Sequence, residues 1–145
     1  MNILFVCTAN TCRSPIAHGI FENMLKSKKG KHTVKSAGIY ARPSDTITEN
    51  AQRQLHKRKI DFANRHSVQI TNSLVTEADL IFTMTNNQRR LLVQSYPYAA
   101  DKIHLLGDYT NRKDDVEDPY GQNMHAYSKC ASKIEDMLNI LYTMI

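Results

Sequence analysis

The chain has 145 residues, of which 41% are hydrophobic and 23% charged, with five glycines and four prolines. That is the composition of one folded domain, residues 1–145, large enough to bury a core, and it excludes a collagenous, low-complexity or disordered chain. A net charge of +5 points to an anionic partner, either nucleic acid or a smaller anionic substrate, or to nothing more than a solvated surface.

Asn2-Ile3-Leu4-Phe5-Val6 reads as a buried strand. A first helix runs from about Ser14 to Leu25, with Pro15 in its first turn and an apolar stripe of Ile16, Ala17, Ile20, Phe21 and Met24. Thr33 to Ser36 is a second strand, ended by Ala37-Gly38, and a loop follows through Tyr40 and Pro43. Thr46 with Glu49 has the spacing of a capping box and opens a helix to about Arg58. Val75 to Asp79 leads into a third strand, Leu80 to Met84. Thr85 with Gln88 repeats the capping pattern and opens a helix to about Tyr96, stopped by Pro97. Lys102 to Leu106 is the fourth strand, and a polar loop from Gly107 to Gly121 precedes the last helix. There Tyr127, Ala131, Ile134, Leu138, Leu141 and Ile145 recur at helical spacing. Strands alternating with helices predict an α/β fold, a four-stranded parallel sheet covered on both faces, with the ligand crevice at the carboxyl ends of the strands.

No apolar stretch approaches the length of a membrane span, and the start carries no basic leader, so a cytoplasmic, soluble protein is expected. The three cysteines, Cys7, Cys12 and Cys130, are too few and scattered for a disulfide framework, and the six histidines lack metal-ligand spacing. The basic clusters, Lys26-Lys28-Lys29-Lys31 and Arg89-Arg90, carry no interleaved aromatics and no nucleic-acid motif, so no nucleic-acid partner is expected.

The strongest chemical signal is Cys7-Thr8-Ala9-Asn10-Thr11-Cys12-Arg13-Ser14-Pro15, a loop closing between a strand end and a helix start. Such a loop turns backbone N–H groups toward one point and adds the positive end of a helix, which suits an oxyanion. Cys7 alone would read as a small buried hydrophobe. In this setting it reads as a nucleophile, with the loop N–H groups, the helix end and Arg13 favouring the thiolate and Ser14 donating to the sulfur. The planar fork of Arg13 can grip two phosphoryl oxygens, and the Asn10 amide can brace the loop. Asp118-Pro119-Tyr120-Gly121 has turn formers; folded over the loop, Asp118 would act as general acid and base while Tyr120 walls the pocket.

Across its whole length the chain resembles the low-molecular-weight protein phosphatase family. The matching residues are Cys7 to Pro15, Ser36-Ala37-Gly38, Ala78-Asp79-Leu80-Ile81 and Asp118-Pro119-Tyr120. The resemblance implies a flavodoxin-like three-layer sandwich and a two-step mechanism without metal or cofactor. In it Cys7 forms a cysteinyl-phosphate, Arg13 binds the phosphoryl group, Asp118 is acid then base, and inorganic phosphate is released. Thr8, Ala9, Asn10, Thr11, Cys12, Ser14, Tyr40 and Tyr120 would line or support the phosphate and substrate site, and Cys12 would be the redox partner of Cys7. Two departures stand out: Ala9 replaces the family's usual glycine, and His18 replaces a usual glutamate, read as surface variation. Thr11 matches the bacterial protein-arginine phosphatase branch, since its hydroxyl suits a polar guanidino group where tyrosine-directed members have an aliphatic residue. The expected partners are phosphorylated proteins, preferably phosphoarginine, with phosphotyrosine the alternative; a monomer is expected. An arsenate reductase would need further redox cysteines, a thiol switch would not need Arg13 or Asp118, and a phosphopeptide-binding module would not need both Cys7 and Asp118.

Overall fold

The computed structural model of the chain describes residues 1–62 and 65–145. Its centre is β1 (Asn2–Cys7), which pairs in parallel with β2 (Thr33–Gly38) on one side and β3 (Leu80–Thr83) on the other. β4 (Ile103–Leu105) joins β3, so the parallel sheet runs in the order β2-β1-β3-β4.

Because β1 is central, both of its faces are buried, which is why it reads as an uninterrupted apolar run. Alternate side chains serve opposite layers. Ile3, Phe5 and Cys7 enter a core with α1 (Arg13–Leu25), α2 (Glu49–Lys57) and α6 (Met124–Met144). Leu4 and Val6 enter the opposite core with α3 (Asn72–Glu77) and α4 (Asn86–Ser95). α5 (Leu106–Tyr109) is a single turn after β4. The fold is thus the three-layer α/β sandwich expected, with β1 and α1 meeting at the carboxyl edge of the sheet.

Local structure departs from expectation in five places. Thr46 does not cap α2; it makes an antiparallel bridge with His66, and Thr48 is the cap, its side chain accepting the Ala51 N–H at 3.3 Å. Residues 72–77 form α3, capped by Thr71, where only a lead-in to a strand was expected. The polar loop begins with α5, and Pro97–Lys102 is a 3-10 helix beyond the stop at Pro97. The Thr85–Gln88 capping box is present as expected.

His18 is the fifth departure, since it is buried (7% exposed), not surface variation. Its Nδ1 lies 2.9 Å from Ser36 Oγ, its Nε2 lies 3.3 Å from Glu22, and its ring meets Phe62 edge-on. Burial pushes its pKa from 6.5 down to about 4, Glu22 pulling upward and Arg65 adding to the depression. At neutral pH the His18–Glu22 contact is therefore a hydrogen bond from a neutral ring. The sign follows from linkage: below pH 6.5 the unfolded chain takes up a proton that the folded chain refuses until about pH 4. The contribution is full above pH 6.5 and is lost as pH falls through this window. Denaturant midpoints at pH 7 and 4.5 should accordingly differ more in the wild type than in His18→Gln; equal differences would contradict the neutral, buried state.

Candidate active site

The loop from Cys7 to Arg13 spends its carbonyls on scaffolding. Cys7 O accepts from Ile39 N–H (2.9 Å), Thr8 O from Tyr40 N–H (2.8 Å) and Thr11 O from Thr48 N–H (3.0 Å). Asn10 O accepts from Ser67 Oγ (3.0 Å), and Cys12 O from Ile16 N–H (3.1 Å). In a trans peptide the N–H points opposite to the carbonyl of the same unit. Five outward-facing carbonyls therefore turn the N–H groups of Thr8, Ala9, Thr11, Cys12 and Arg13 the other way. α1 opens at this loop with no side-chain cap, so the positive end of a 13-residue helix adds to them.

Asn10 makes the turn possible. Its φ is +57°, a left-handed conformation that asparagine tolerates better than most residues. Its Oδ1 accepts from Val68 N–H at 2.9 Å and its Nδ2 donates to Ser14 Oγ at 2.7 Å. Ser14 thus has its acceptor side occupied, and its own proton faces Cys7 Sγ at 2.9 Å, with the Ala37 carbonyl farther off at 3.5 Å. The alanine at position 9 is not a left-handed residue, so its methyl imposes no backbone strain. Asn10 and Ser14 lie beneath the loop, bracing it.

The open side of the loop is a cavity of about 220 Å³ lined by Cys7, Thr8, Ala9, Thr11, Cys12 and Arg13 together with Arg42, Asp45, Asp118 and Tyr120. The loop after α5 does fold over it. Arg13, 5% exposed, donates from Nη1 to Val116 O at 3.0 Å and approaches Asp118 Oδ2 with Nη2 at 3.6 Å. Asp118 also accepts the Tyr120 N–H at Oδ1, a local turn that aims the segment. Tyr40 contributes its backbone to the loop, but its ring is exposed and does not line the cavity. Cys12 Sγ is packed against Tyr127 Oη (3.3 Å) and Thr48 Oγ1 (3.6 Å), and burial raises its pKa. Cys130 is a core residue whose thiol is pushed up to about 12 by burial. All three thiols are free.

Gly38, matched in sequence only as part of Ser36-Ala37-Gly38, and Gln88, read only as a capping residue, also belong to the site. Gln88 Oε1 accepts the N–H groups of Met84 and Thr85, leaving Nε2 to donate to Thr8 Oγ1 at 3.0 Å. Gly38 ends β2 beside Cys7, where a Cβ would stand 2.7 Å from Thr8 O, 2.9 Å from Ala9 C and 3.0 Å from Asn10 N. Those are backbone atoms and cannot swing aside. Gly38→Ala is expected to shift the loop and lower kcat/KM about 100-fold, the scale of a 1 Å misplacement, with a smaller loss in Tm; full activity would show the fit to be looser than drawn.

A cradle of inward N–H groups, a helix end and a buried guanidinium holds a tetrahedral dianion, and a thiol at its base can attack the phosphorus. The family described as low molecular weight phosphotyrosine protein phosphatase matches residues 2–145. The chain belongs to this family. It is a protein phosphatase, a hydrolase whose substrates are phosphoproteins. Among curated relatives, the protein-arginine-phosphatase of Bacillus subtilis (strain 168) is 33% identical over 142 residues, 97% of this chain and 94% of that protein. A solved low molecular weight protein tyrosine phosphatase from T. tengcongensis superposes with a TM-score of 0.96 at 35% identity, covering 100% of this chain and 99% of that one. The YwlE arginine phosphatase, solved as a C7S mutant with a phosphorylated active-site serine, gives 0.95 at 31% identity, covering 99% and 95%. Within the low molecular weight phosphatases, then, this chain resembles arginine- and tyrosine-named members alike. Among the described residues no group of His, Cys, Asp and Glu is placed to hold a metal ion, and no helix is long and apolar enough to cross a membrane.

Proposed function

We propose that this low molecular weight phosphatase hydrolyses phosphoarginine side chains of proteins through a cysteinyl-phosphate on Cys7. The Cys7 thiolate attacks phosphorus in line with the departing guanidino nitrogen. As the P–N bond breaks, Asp118 gives its proton to that nitrogen and the unmodified arginine side chain of the protein leaves. The inward N–H groups and Arg13 hold the equatorial oxygens throughout. Water then attacks phosphorus, Asp118 takes its proton, the S–P bond breaks, and inorganic phosphate departs from a regenerated thiolate. The positive charge that stabilises the transferred group comes from the chain itself, so turnover is expected in the presence of chelator, by a monomer acting in the cytoplasm.

The observation that carries the arginine reading is Thr11, a hydroxyl-bearing residue that lines the cavity together with Asp118. It can accept from guanidino N–H groups, whereas an aliphatic residue offers only an apolar wall for a ring. The similarity to the Bacillus subtilis protein-arginine-phosphatase supports the same assignment. Tyr120, also on the wall, would flank a flat guanidinium or a phenol ring and favours neither. Thr11→Ile is expected to lower kcat/KM for phosphoarginine peptides relative to phosphotyrosine peptides by at least about tenfold, since one hydrogen bond to a charged group is worth ~1.5–3 kcal/mol. An unchanged ratio would refute the role of Thr11.

A further inference from the structure

A site that binds a dianion gains nothing from carboxylates at its entrance, since like charges about 4 Å apart repel by ~1 kcal/mol even in water. Yet two carboxylates line this cavity. Asp118 has a place in the chemistry proposed above; Asp45 has none.

Asp45 is held in position. Its N–H closes a turn onto Arg42 O at 2.8 Å, and its carbonyl accepts the Ser67 N–H at 2.9 Å. Ser67 in turn donates to Asn10 O, and three residues beyond Asp45 the Thr48 N–H donates to Thr11 O. The turn is therefore fastened on both sides to the phosphate loop, and Asp45 stands at the Thr11 side of the cavity. Its side chain is one-third exposed (35%), and among the described residues its carboxylate is paired with the guanidinium of Arg42, with Nε 3.3 Å from Oδ2. The Arg42 side chain is 81% exposed, so a contact of this kind is weak and easily exchanged.

We infer that Asp45 is a specificity-determining residue that receives the guanidino group of the substrate, and that Arg42 occupies that place until the substrate displaces it. The inference rests on the phosphoarginine reading above. A phosphorylated guanidine presents several N–H donors in one plane beside the phosphorus, and a carboxylate accepts them in forked geometry. A phosphorylated phenol presents no donor there, so nothing in it offsets the repulsion that either substrate's phosphate meets at Asp45. The Arg42–Asp45 pair shows that a guanidinium fits against this carboxylate at the cavity. Asp45 makes no bond to the reacting atoms and moves no proton; it sorts substrates.

The test is kcat/KM for phosphoarginine and phosphotyrosine in peptides of one sequence, for wild type, Asp45→Asn and Arg42→Ala, with thermal melts to confirm folding. Asp45→Asn should lower the phosphoarginine value about tenfold and leave phosphotyrosine within about twofold, the loss of one charge-assisted hydrogen bond. Arg42→Ala should move the phosphoarginine-to-phosphotyrosine ratio the opposite way, upward, because it frees the carboxylate. A wild type active on phosphoarginine, with the ratio unmoved in Asp45→Asn or both substrates falling equally, would overturn this inference and leave the proposed function intact. A wild type inactive on phosphoarginine would overturn both.

Discussion

Cys7→Ser is expected to lower turnover of any phosphorylated substrate by at least about 10⁴-fold, the order seen when a nucleophile is removed from an otherwise intact site. The cradle itself should survive. Ser14 Oγ sits 2.9 Å from the sulfur and would still donate to a serine oxygen, and the loop carbonyls keep their partners at Ile39, Tyr40, Ser67 and Thr48. What is lost is the reactive anion, because a hydroxyl gives up its proton far less readily than a thiol. The variant should therefore bind inorganic phosphate as the wild type does while failing to turn over. Any serine phosphate that forms should persist, since an alkoxide is a poorer leaving group than a thiolate, and it would be read as one added phosphate in the intact mass. The phosphorylated serine of the C7S YwlE structure is that outcome in a relative. Residual activity within tenfold of wild type would place the nucleophile elsewhere.

Arg13→Lys should cost less but still about 10²–10³-fold in kcat/KM, the range for removing one preorganised donor from a developing oxyanion. The native guanidinium is buried, with Nη1 committed to Val116 O and Nη2 beside Asp118. One planar fork thus anchors the loop that carries the acid and faces the phosphate at the same time. A lysine ammonium is a single point of charge on a flexible stem and cannot serve both. The loss should appear in both kcat and KM, and phosphate affinity should fall with it. Activity within about tenfold of wild type would mean that charge alone, without the fork, suffices.

How far the sequence disclosed this site depends on the kind of interaction. The strand, the loop and the helix start are contiguous, so Cys7, Arg13 and the brace Asn10 were legible from a run of nine residues. The buried strands announced themselves as apolar runs, and Thr85 with Gln88 as a capping box. Asp118 was legible as a turn residue, but its approach to Arg13 spans 105 positions and depends on how the loop after α5 folds. His18 was misread because its partners, Ser36, Phe62 and Glu22, come from three different segments, and no local pattern marks a polar residue as buried. α3 is too short to express a helical period, and Thr46 is taken up in an isolated antiparallel bridge with His66, leaving Thr48 as the cap. Gln88 was legible only in half of its role: its carbonyl oxygen caps α4 locally, while its amide nitrogen reaches Thr8 across 80 positions.

The most direct measurement is kcat/KM of the wild type on phosphoarginine and phosphotyrosine placed in otherwise identical peptides, with chelator present. Phosphoarginine preferred by at least about tenfold is the expected result, the discrimination that a site built to accept N–H groups exerts against a substrate lacking them. Phosphotyrosine preferred, or no turnover of phosphoarginine, would contradict the assignment of this phosphatase to arginine.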